Sequence, residues 1–431
     1  MNLTEELKWR GLMTDSIGPI EKVLNEESTT FYVGTDPTGP SLHVGHLLAF
    51  VVARLLQLRG HKPIILVGGA TASLGDPSFK AEERKLLTME EINSNAESIK
   101  RQLSKMIDFN ASTSNAAIMV NNYDWMKDFS FLDFARNVGK LITVNYMMAK
   151  ESVKRRLERE GSGLSFTEFT YQLLQGYDHY HLYKNYNCKI QAGGVDQKGN
   201  ILTGCEIIRK KLGSEATPCA FVWPLVTKAD GTKFGKSEGN NNIWLDPNLT
   251  TPYQFYQFWL NQADADAERF IKMFTLLSRE EIESVITEHN KAPHLRLLQK
   301  TLAKELTIMV HSEKDLETAI AASEVLFGKS TKATLESLDD ATLLSVFDGV
   351  PTFEVEKSWF DEGIKLSELS VERTSTFKSK GELRKLIVNG GVSINKNKIT
   401  EDIFLTSSNL LNNKFLLVQQ GKKNYTLIVA R

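Results

Sequence analysis

Cysteine is scarce in this sequence, with three residues among 431. Cys188, Cys205 and Cys219 show none of the close spacings of a structural zinc site, and three thiols make no disulfide framework. We therefore expect reduced thiols, no dedicated protein metal site and a cytoplasmic protein.

Long apolar runs are also missing. The sequence has no stretch of about 18 consecutive apolar residues, so it predicts no transmembrane helix and no membrane partner. The first turn of the chain carries acidic residues and no apolar core, and we therefore expect no signal peptide. Hydrophobic residues make up 41% and charged residues 24% of the chain, which is typical of a globular protein.

Net charge is close to zero, at −1, but it is unevenly distributed. Residues 371–431 hold 11 Lys/Arg and 4 Asp/Glu, a net charge of +7, which leaves −8 on the residues before them. Unless this asymmetry arose by chance, a basic C-terminal module on an acidic body indicates a polyanionic partner. We predict that the module contains a basic helix at 379–387, a turn into a strand at 389–395, and strands at 414–419 and 424–429.

Strand and helix patterns alternate before this module. Strands are predicted at 30–34, 63–68, 189–193 and 219–222, and helices at 43–58, 90–107 and 131–159, followed by a mostly helical segment at 252–325. Because the strand at 63–68 is apolar throughout, the pattern favours an α/β fold with a Rossmann-like, doubly wound parallel sheet. Ligands of such folds bind at the carboxyl ends of the strands.

Two histidines, His43 and His46, lie at the start of the first long helical pattern in the sequence His-Val-Gly-His. Side chains three positions apart share one helix face, and the positive end of the helix dipole favours phosphate oxygens. Gly45 leaves room for a flat ligand such as a purine against the backbone. The alternative is an ordinary helix start, because one short motif is weak evidence.

A second motif, Lys-Phe-Gly-Lys-Ser, lies far downstream at residues 233–237. Lysine ammonium groups bind phosphates as point charges, although most segments of this composition are solvated turns. In this order and at this separation, the two motifs together are far more specific than either one. They resemble the signature motifs of the class I aminoacyl-tRNA synthetases.

A third pattern suggests where an amino acid would bind. Ser165 and Glu168 have the spacing of a capping box at a helix start. Tyr171, Gln175 and Asp178 then fall on one face of that helix. A polar stripe of this kind either faces solvent or lines a pocket, and by itself it favours the solvent-facing interpretation.

Further motifs narrow the resemblance to the bacterial tyrosyl-tRNA synthetases. They are Tyr32 before Gly-x-Asp-Pro-Thr at 34–38, the histidine pair, Gly-Gly-Ala-Thr at 68–71, Gly-Asp-Pro at 75–77, Asn-Asn-Tyr-Asp-Trp at 121–125, Ser-Phe-Thr-Glu at 165–168, the polar helix and Lys-Phe-Gly-Lys-Ser. The match covers nearly the whole chain, and the C-terminal module resembles an RNA-binding domain shared with a ribosomal small-subunit protein.

This resemblance divides the chain into four parts. Residues 1–223 would form the catalytic domain, with a helical dimerisation insertion at about 121–160. Residues 224–327 would hold the lysine motif and an α-helical domain, 328–355 a linker, and 356–431 the small α+β RNA-binding domain.

The resemblance also implies roles for single residues. In the family pattern, Tyr32 and Asp178 contact the phenol oxygen of the substrate tyrosine, and Asp76, Tyr171 and Gln175 its α-ammonium group. Gln191 and Gln197 complete the implied tyrosine site. The implied ATP site holds Asp36, Thr38, His43, Gly45, His46, Gly194, Asp196, Lys233 and Lys236, and the implied catalytic group holds His43, His46, Lys233, Lys236 and Ser237.

The implied reaction has two steps, formation of tyrosyl-adenylate from tyrosine and ATP and transfer of the tyrosyl group to tRNA(Tyr). Catalysis would come from positioning and charge stabilisation, with Mg²⁺ held mainly by the phosphates of ATP. Tyrosyl-tRNA synthetases are themselves the standard example of rejecting phenylalanine without editing, at about 10⁵-fold.

The sequence departs from the family pattern in two places. Val195 and Lys198 stand where the family usually has serine and tryptophan, and residues 72–74 replace a glycine-containing stretch. Lys198 either adds a positive charge near the nucleotide or points into solvent, and the sequence favours neither.

Two further contacts are expected, one with tRNA from basic residues and one between subunits from the family pattern. Lys150, Lys154, Arg155 and Arg156 would meet the acceptor arm of the tRNA, and Lys380, Arg384 and Lys385 its anticodon side or variable arm, unless these are ordinary solvated helix faces. The region from about 121 to 157 would form a homodimer interface, although its aromatic residues and methionines also suit an internal core.

Two alternative functions come from other classes. A small-molecule nucleotidyltransferase shares the His-x-Gly-His site but needs neither the lysine motif nor a basic RNA module. An RNA-binding or splicing factor derived from a synthetase could do without His43, His46 or Lys236, yet all three are present.

Overall fold

A computed structural model describes most of the chain, in two compact units. The described residues are 1–76, 87–158, 164–229, 231, 234–235, 242–326, 331–348, 350–421 and 424–431, without the side chains of residues 155, 156 and 326. Lys233, Lys236 and Ser237 therefore lie outside the described residues. The first unit comprises residues 1–246 and 260–310, and the second comprises residues 247–259 and 311–431.

A six-stranded sheet forms the centre of the first unit. Its strands are β1 (Asp15–Ile17), β2 (Thr30–Thr35), β3 (Lys62–Val67), β4 (Ile118–Asn121), β5 (Cys188–Gly194) and β6 (Cys219–Trp223). The order is β1-β6-β5-β2-β3-β4, and every neighbouring pair is parallel except β1 with β6. The chain builds outward from β2 in both directions, which confirms the predicted doubly wound sheet. The switch between the two directions lies at β2 and β5, where Tyr32 pairs with Gln191.

Helices surround this sheet. They are α1 (Leu3–Trp9), α2 (Ile20–Glu26), α3 (Val44–Leu58), α4 (Gly69–Ala72), α5 (Met89–Leu103), α6 (Tyr123–Met126), α7 (Phe131–Asn137), α8 (Val144–Met148), α9 (Glu151–Leu157), α10 (Phe166–Tyr186) and α11 (Lys198–Leu212), with 3₁₀ turns at Gly139–Leu141 and Val195–Gln197. Ile64 and Leu66 of β3 pack against Leu182 of α10, and α3 also contacts β2, β3 and β5. The apolar sheet residues are therefore withdrawn from water.

The prediction of a single helical segment at 131–159 is wrong. The structure breaks it into α7, a 3₁₀ turn, α8 and α9. Ile142 has extended backbone angles, and the Thr143 side chain accepts a hydrogen bond from the Tyr146 N–H and caps a new helix. The apolar periodicity continues across these breaks, which is why it suggested one long element.

The first unit is completed by α13 (Asp264–Phe274), α14 (Arg279–Lys291), a 3₁₀ turn (Pro293–Leu295) and α15 (Leu297–Val310). The helix α12 (Pro252–Leu260) precedes them, and most of it belongs to the second unit. None of the helices described in the structure is long and apolar enough to cross a membrane.

The second unit ends in a small α+β module. The helical elements of the second unit from residue 311 onward are α16 (Glu313–Leu326), α17 (Lys332–Glu336), α18 (Asp340–Val346), α19 (Ser358–Glu362), a π-helical turn (Glu368–Arg373), α20 (Lys380–Val388) and a 3₁₀ turn (Ser407–Asn409). Its strands are β7 (Thr352–Val355), β8 (Ile364–Lys365), β9 (Val392–Ile394), β10 (Asn397–Lys398), β11 (Phe404–Leu405), β12 (Phe415–Gln420) and β13 (Asn424–Ala430). The strands form a five-stranded sheet, β10-β9-β12-β13-β7, and a pair, β11-β8.

The basic helix and the strands predicted in this module are confirmed to within a few residues by α20, β9, β12 and β13. One boundary differs from the prediction. The strand β7 lies in the segment predicted as a linker, yet it pairs in parallel with β13. The sheet therefore begins before residue 356, because a strand from the linker region supplies its edge.

Candidate functional site

A cavity of about 310 Å³ lies at the carboxyl ends of β2 and β5. It is lined by all the residues predicted for the tyrosine site, Tyr32, Asp76, Tyr171, Gln175, Asp178, Gln191 and Gln197. Predicted ATP-site residues line it too, namely Asp36, Thr38, Gly45, His46, Gly194 and Asp196. The polar stripe on α10 thus lines a pocket, and the solvent-facing interpretation is wrong.

The Asp178 carboxylate is buried at one end of this cavity. Its Oδ2 accepts a hydrogen bond from Nδ2 of Asn122 at 3.0 Å, and its Oδ1 accepts one from Nε1 of Trp125 at 2.9 Å. Burial raises the pKa of Asp178 to about 7, and the two hydrogen bonds offset only part of that rise. The two hydrogen bonds therefore fix the orientation of the carboxylate, but they do not fully replace the water that burial has removed from it.

Tyr32 lies across the same end of the cavity. It is buried, and its hydroxyl has no hydrogen-bond partner among the described residues. A buried polar group without a partner costs roughly 1–3 kcal/mol, which a bound hydroxyl group would recover. Tyr32 and Asp178 both line this cavity, and the charge of Asp178 adds to the burial that raises the pKa of the Tyr32 hydroxyl.

Asn122 and Trp125 are positioning residues to which the sequence pattern assigned no role. Asn122 also accepts a hydrogen bond from the Ala70 N–H at 2.8 Å and donates to Oγ1 of Thr71 at 3.1 Å. Both residues belong to the Asn-Asn-Tyr-Asp-Trp motif, which follows β4 at the carboxyl edge of the sheet. The position of this motif after β4 was the signal in the sequence that could have identified them, since side chains at the carboxyl edge of such a sheet face the ligand.

A second polar network surrounds Asp36, just after β2. The Tyr171 hydroxyl donates to Oδ2 of Asp36 at 2.8 Å, and Oγ1 of Thr71 donates to its Oδ1 at 2.7 Å. A Cβ added to Gly68 would lie 2.0 Å from Oδ1 of Asp36, so only glycine fits there. Burial raises the pKa of Tyr171, which keeps its hydroxyl protonated as a donor.

Two more carboxylates lie along the cavity. Nε2 of Gln197 donates to Oδ2 of Asp76 at 2.9 Å and to Oδ2 of Asp196 at 3.1 Å. Burial raises the pKa of Asp196, and the charge of Asp76 adds to this effect. Nδ2 of Asn200, a residue the sequence did not single out, donates to Oε1 of Gln175 at 2.8 Å. A cavity lined by these carboxylates suits an ammonium group.

His43 and His46 form the N-terminal cap of α3. Nδ1 of His43 accepts from the Gly45 N–H at 3.0 Å, and Nδ1 of His46 accepts from the His43 N–H at 3.3 Å. Because each Nδ1 is an acceptor, the proton of each neutral ring lies on Nε2, where it is a donor for an anion. The rings stack with centroids 3.9 Å apart, and a Cβ on Gly45 would lie 2.7 Å from Cε1 of His43.

Part of the lysine motif is described at Phe234 and Gly235. Gly235 has a φ of +96°, and its carbonyl accepts from the Ile243 N–H at 3.2 Å. The Ile243 carbonyl in turn accepts from the Val44 N–H at 2.9 Å, at the start of α3. Through Ile243, these two hydrogen bonds link Gly235 of the lysine motif to the start of α3, where the histidine motif lies.

Lys198 is engaged in an ion pair. Its Nζ lies 2.6 Å from Oδ2 of Asp15 on β1, and this hydrogen bond lowers the pKa of Asp15. This contact matches neither prediction for Lys198. One prediction placed its charge near the nucleotide, and the other left its side chain free in solvent. The pair is partly exposed, so its contribution to stability is small.

For the ATP site that the family resemblance implies, replacing Lys198 by alanine is expected to leave the KM for ATP unchanged within about twofold, because the ammonium is already paired with Asp15. The KM is measured in ATP–pyrophosphate exchange, with Asp15→Ala as the matched control. A clear rise in the KM for ATP in Lys198→Ala alone would restore the nucleotide contact.

Comparisons with known proteins agree with this geometry. The family described as "tRNA synthetases class I (W and Y)" matches residues 24–328, and the "Tyrosine--tRNA ligase SYY-like C-terminal domain" matches residues 342–428. A tyrosine--tRNA ligase of Bacteroides thetaiotaomicron is 57% identical over 433 residues, covering 100% of both chains. One of Flavobacterium johnsoniae is 56% identical and covers 99% of each.

Solved structures are similar as well. A C-terminally truncated mitochondrial tyrosyl-tRNA synthetase of Aspergillus nidulans is 32% identical with a TM-score of 0.67, covering 76% of this chain and 94% of that one. The tyrosyl-tRNA synthetase of Archaeoglobus fulgidus, complexed with L-tyrosine, shares the fold at 19% identity and a TM-score of 0.53. The chain therefore belongs to the tyrosyl-tRNA synthetase family of class I aminoacyl-tRNA synthetases.

Proposed function

We propose that this protein activates L-tyrosine with ATP and transfers the tyrosyl group to the 3′-terminal ribose of tRNA(Tyr) in the cytoplasm. The observation that carries the proposal is the Tyr32 hydroxyl, which has no hydrogen-bond partner among the described residues, in the same cavity as the buried Asp178 carboxylate. A tyrosine side chain fits this pair because its phenol group both donates and accepts a hydrogen bond, whereas phenylalanine would leave the Tyr32 hydroxyl without a partner and would give the Asp178 carboxylate no further donor.

In the first step, a tyrosine carboxylate oxygen bonds to the α-phosphorus of ATP. The bond from that phosphorus to the bridging oxygen breaks, and pyrophosphate leaves with the electron pair. A carboxylate is already a nucleophile, so no general base is required. The residues Asp36, Asp76 and Asp196 suit a role in orienting the ammonium and ribose groups, while the Nε2–H groups of His43 and His46 stabilise charge on the phosphates.

The Mg²⁺ ion in this proposal enters with ATP as part of the substrate. The residues described in the structure contain no group of three or more His, Cys, Asp or Glu side chains placed to hold a metal. The phosphates and water would supply most of the ligands, as is usual for this ion.

In the second step, a hydroxyl of the terminal ribose of the tRNA attacks the carbonyl carbon of tyrosyl-adenylate. An ester bond forms, the bond from that carbon to the phosphate oxygen breaks, and AMP leaves with its phosphate taking up the proton of the attacking hydroxyl. The adenylate must stay bound between the steps, and the buried phenol site at Asp178 provides the anchor.

Amino-acid-dependent ATP–pyrophosphate exchange without tRNA tests this proposal. With all twenty amino acids offered singly, exchange is expected with tyrosine alone, and tRNA(Tyr) is then expected to be charged. Exchange with another amino acid would overturn the assigned pocket. Exchange with none would favour the synthetase-derived RNA-binding protein, and nucleotidyl transfer to a different acceptor would favour the small-molecule enzyme.

The proposed contact with the tRNA acceptor arm involves the exposed Lys154 and its neighbours Arg155 and Arg156 on α9. Lys150 differs from them, because its ammonium lies 4.0 Å over the Tyr146 ring and burial lowers its pKa to about 8. Lys150 therefore has a packing role within the protein in addition to any contact with RNA.

Reversing the charge at Arg155 and Arg156 is expected to raise the KM for tRNA(Tyr) in aminoacylation by about tenfold or more while sparing pyrophosphate exchange, since phosphate contacts dominate RNA affinity. Lys291→Glu, an exposed lysine on α14, is the matched control. Equal loss of both activities in the arginine variants would contradict a specific tRNA contact.

Residues on α20 are proposed to contact the tRNA through the second unit. Arg384 and Lys385 are exposed, and Lys380 pairs with Glu372 at 2.5 Å on the same surface. The ion pair raises the pKa of Lys380, so this side chain stays charged. A basic helix of this kind supports binding to phosphates more than to base edges.

We propose a homodimer on the basis of an apolar surface formed by the helical insertion and the adjoining start of α10. The exposed fractions are 70% for Phe131, 78% for Leu132 and 67% for Phe166, and the two phenylalanine rings lie 6.4 Å apart. Met147, in contrast, is buried in a core cluster, so the internal-core interpretation holds for part of the region. Analytical ultracentrifugation of the purified protein tests the dimer, and a monomer at micromolar concentration would exclude it.

A further inference from the structure

The helix α13 contacts the chain segment that leads into the lysine motif. Oδ1 of the buried Asp266 accepts a hydrogen bond from the Ala229 N–H at 2.9 Å. Arg269, one turn further along, donates to the Thr227 carbonyl and pairs with Oδ1 of Asp266 at 3.0 Å. Two backbone groups before the motif, on residues two positions apart, are therefore bound by one charged pair on α13.

The same helix also contacts the motif itself. The Phe234 ring packs against both Phe270 and Phe274 of α13, with centroids 4.9 Å and 5.4 Å away. Phe234 directly follows Lys233 in the sequence and is separated from Lys236 only by Gly235. The helix α13 thus binds the segment on both sides of its first lysine.

The buried Arg10 fixes α13 in the first unit. Nη1 of Arg10 donates to the carbonyls of Lys272 and Thr275 at 2.9 and 3.1 Å, and Nη2 donates to that of Leu277 at 2.5 Å. Carbonyls at a helix C-terminus have no partner within the helix, so a buried guanidinium satisfies them and holds the helix end. The C-terminal end of α13 is therefore tied to the N-terminal segment of the chain by a buried side chain.

We propose that Asp266 is a positioning residue for tyrosyl-adenylate formation, acting through the backbone of residues 227–229 and thereby on the lysine motif. This inference rests on the proposed function. The alternative is that Asp266, as an acidic residue in the first turn of α13, only stabilises that helix by interacting with its dipole. However, Oδ1 of Asp266 accepts a hydrogen bond from a backbone N–H outside its own helix. The geometry predicts an effect on the ATP half of the reaction and none on the phenol pocket.

The test compares Asp266→Ala and Asp266→Asn with Glu268→Ala. Glu268 lies on the same helix and pairs with Lys272 at its surface, so it controls for the loss of a charge from α13. We expect Asp266→Ala to lower the kcat of tyrosine-dependent exchange about tenfold, the fold-change that corresponds to the loss of one hydrogen bond to a charged group. The dissociation constant for tyrosine should stay unchanged in all three variants.

Asp266→Asn keeps an oxygen that accepts from the Ala229 N–H but loses the charge pair with Arg269, and it is expected to restore most of the rate. A wild-type rate in Asp266→Ala would overturn the proposal. A parallel loss of tyrosine binding would also overturn it, because that result indicates a general structural defect.

Amide hydrogen exchange of a peptide covering residues 227–235 gives a readout that does not require activity. Exchange there is expected to be faster in Asp266→Ala and unchanged in Glu268→Ala. If the amides of this peptide exchange at the same rate in both variants, Asp266 does not anchor the segment and the proposal is overturned. An absence of activity in the wild-type protein would instead refute the proposed function, so the two failures are distinguishable.

Discussion

Replacing Asp178 by asparagine is expected to lower kcat/KM for tyrosine in pyrophosphate exchange by about 10²-fold and to leave the value for phenylalanine nearly unchanged. The carboxylate is the charged acceptor at the phenol site, and a hydrogen bond to a charged group is worth about 1.5–3 kcal/mol. The asparagine amide also places a donor against Nδ2 of Asn122 or Nε1 of Trp125. Selectivity for tyrosine over phenylalanine would fall by the same factor.

Tyr32→Phe is the graded control at the same site. It removes a neutral hydrogen bond, which is worth about 0.5–1.5 kcal/mol, so the expected loss for tyrosine is smaller, at roughly 2–10-fold. Both side chains face one phenol group, and the double variant is therefore expected to lose less than the product of the two single effects. Unchanged selectivity in Asp178→Asn would contradict the assignment of this pocket.

The same carboxylate predicts a pH dependence. With a pKa of about 7, Asp178 is protonated at lower pH, and its protonated oxygen no longer accepts a hydrogen bond from the substrate phenol. The KM for tyrosine is therefore expected to fall as the pH rises from 6 to 8, in experiments at constant ionic strength. Asp178→Asn should lose this dependence, and a wild-type KM independent of pH over the same range would contradict it.

Replacing His46 by alanine is expected to reduce the rate of adenylate formation by about 10²–10³-fold, the usual cost of removing one donor to a developing anion. The ring proton of His46 lies on Nε2 because Nδ1 accepts from the His43 N–H. Tyrosine affinity should be unaffected, since the phenol site lies elsewhere in the cavity. Single-turnover kinetics and equilibrium dialysis separate the two quantities.

His46→Glu distinguishes catalysis from helix capping. Glutamate at this position keeps the reciprocal bond of a capping box but removes the donor and adds a negative charge. The variant should be at least as slow as His46→Ala, with a thermal midpoint that is no lower. Near-normal rates in His46→Glu would show that His46 serves only the start of α3.

Local patterns predicted much of the fold. The alternation of apolar strands and amphipathic helices gave β2, α3, β3, β5 and β6 to within about two residues, because burial in a parallel sheet requires that pattern. The capping box at Ser165 and Glu168 is confirmed at the start of α10. The breaks at Ile142 and Thr143 escaped prediction, because apolar periodicity does not register a change of backbone direction.

The candidate site depended more on contacts between distant residues. The stripe of Tyr171, Gln175 and Asp178 had two interpretations, and only the packing of α10 against the sheet showed that it lines a cavity. Nothing near Asp178 in the sequence indicates that Asn122 and Trp125 orient its carboxylate. Nothing near Lys198 points to Asp15, which the order of β1 and β6 brings alongside.

The sequence by itself determined the elements and the motif chemistry, since helix periodicity, strand burial and capping are properties of neighbouring residues. The family resemblance named many of the cavity residues, but only the tertiary structure decided how these polar side chains are paired with one another and which, like Lys198, are paired elsewhere. The order of strands in the sheet sets those partners across 50 or more residues, and no local periodicity records that order.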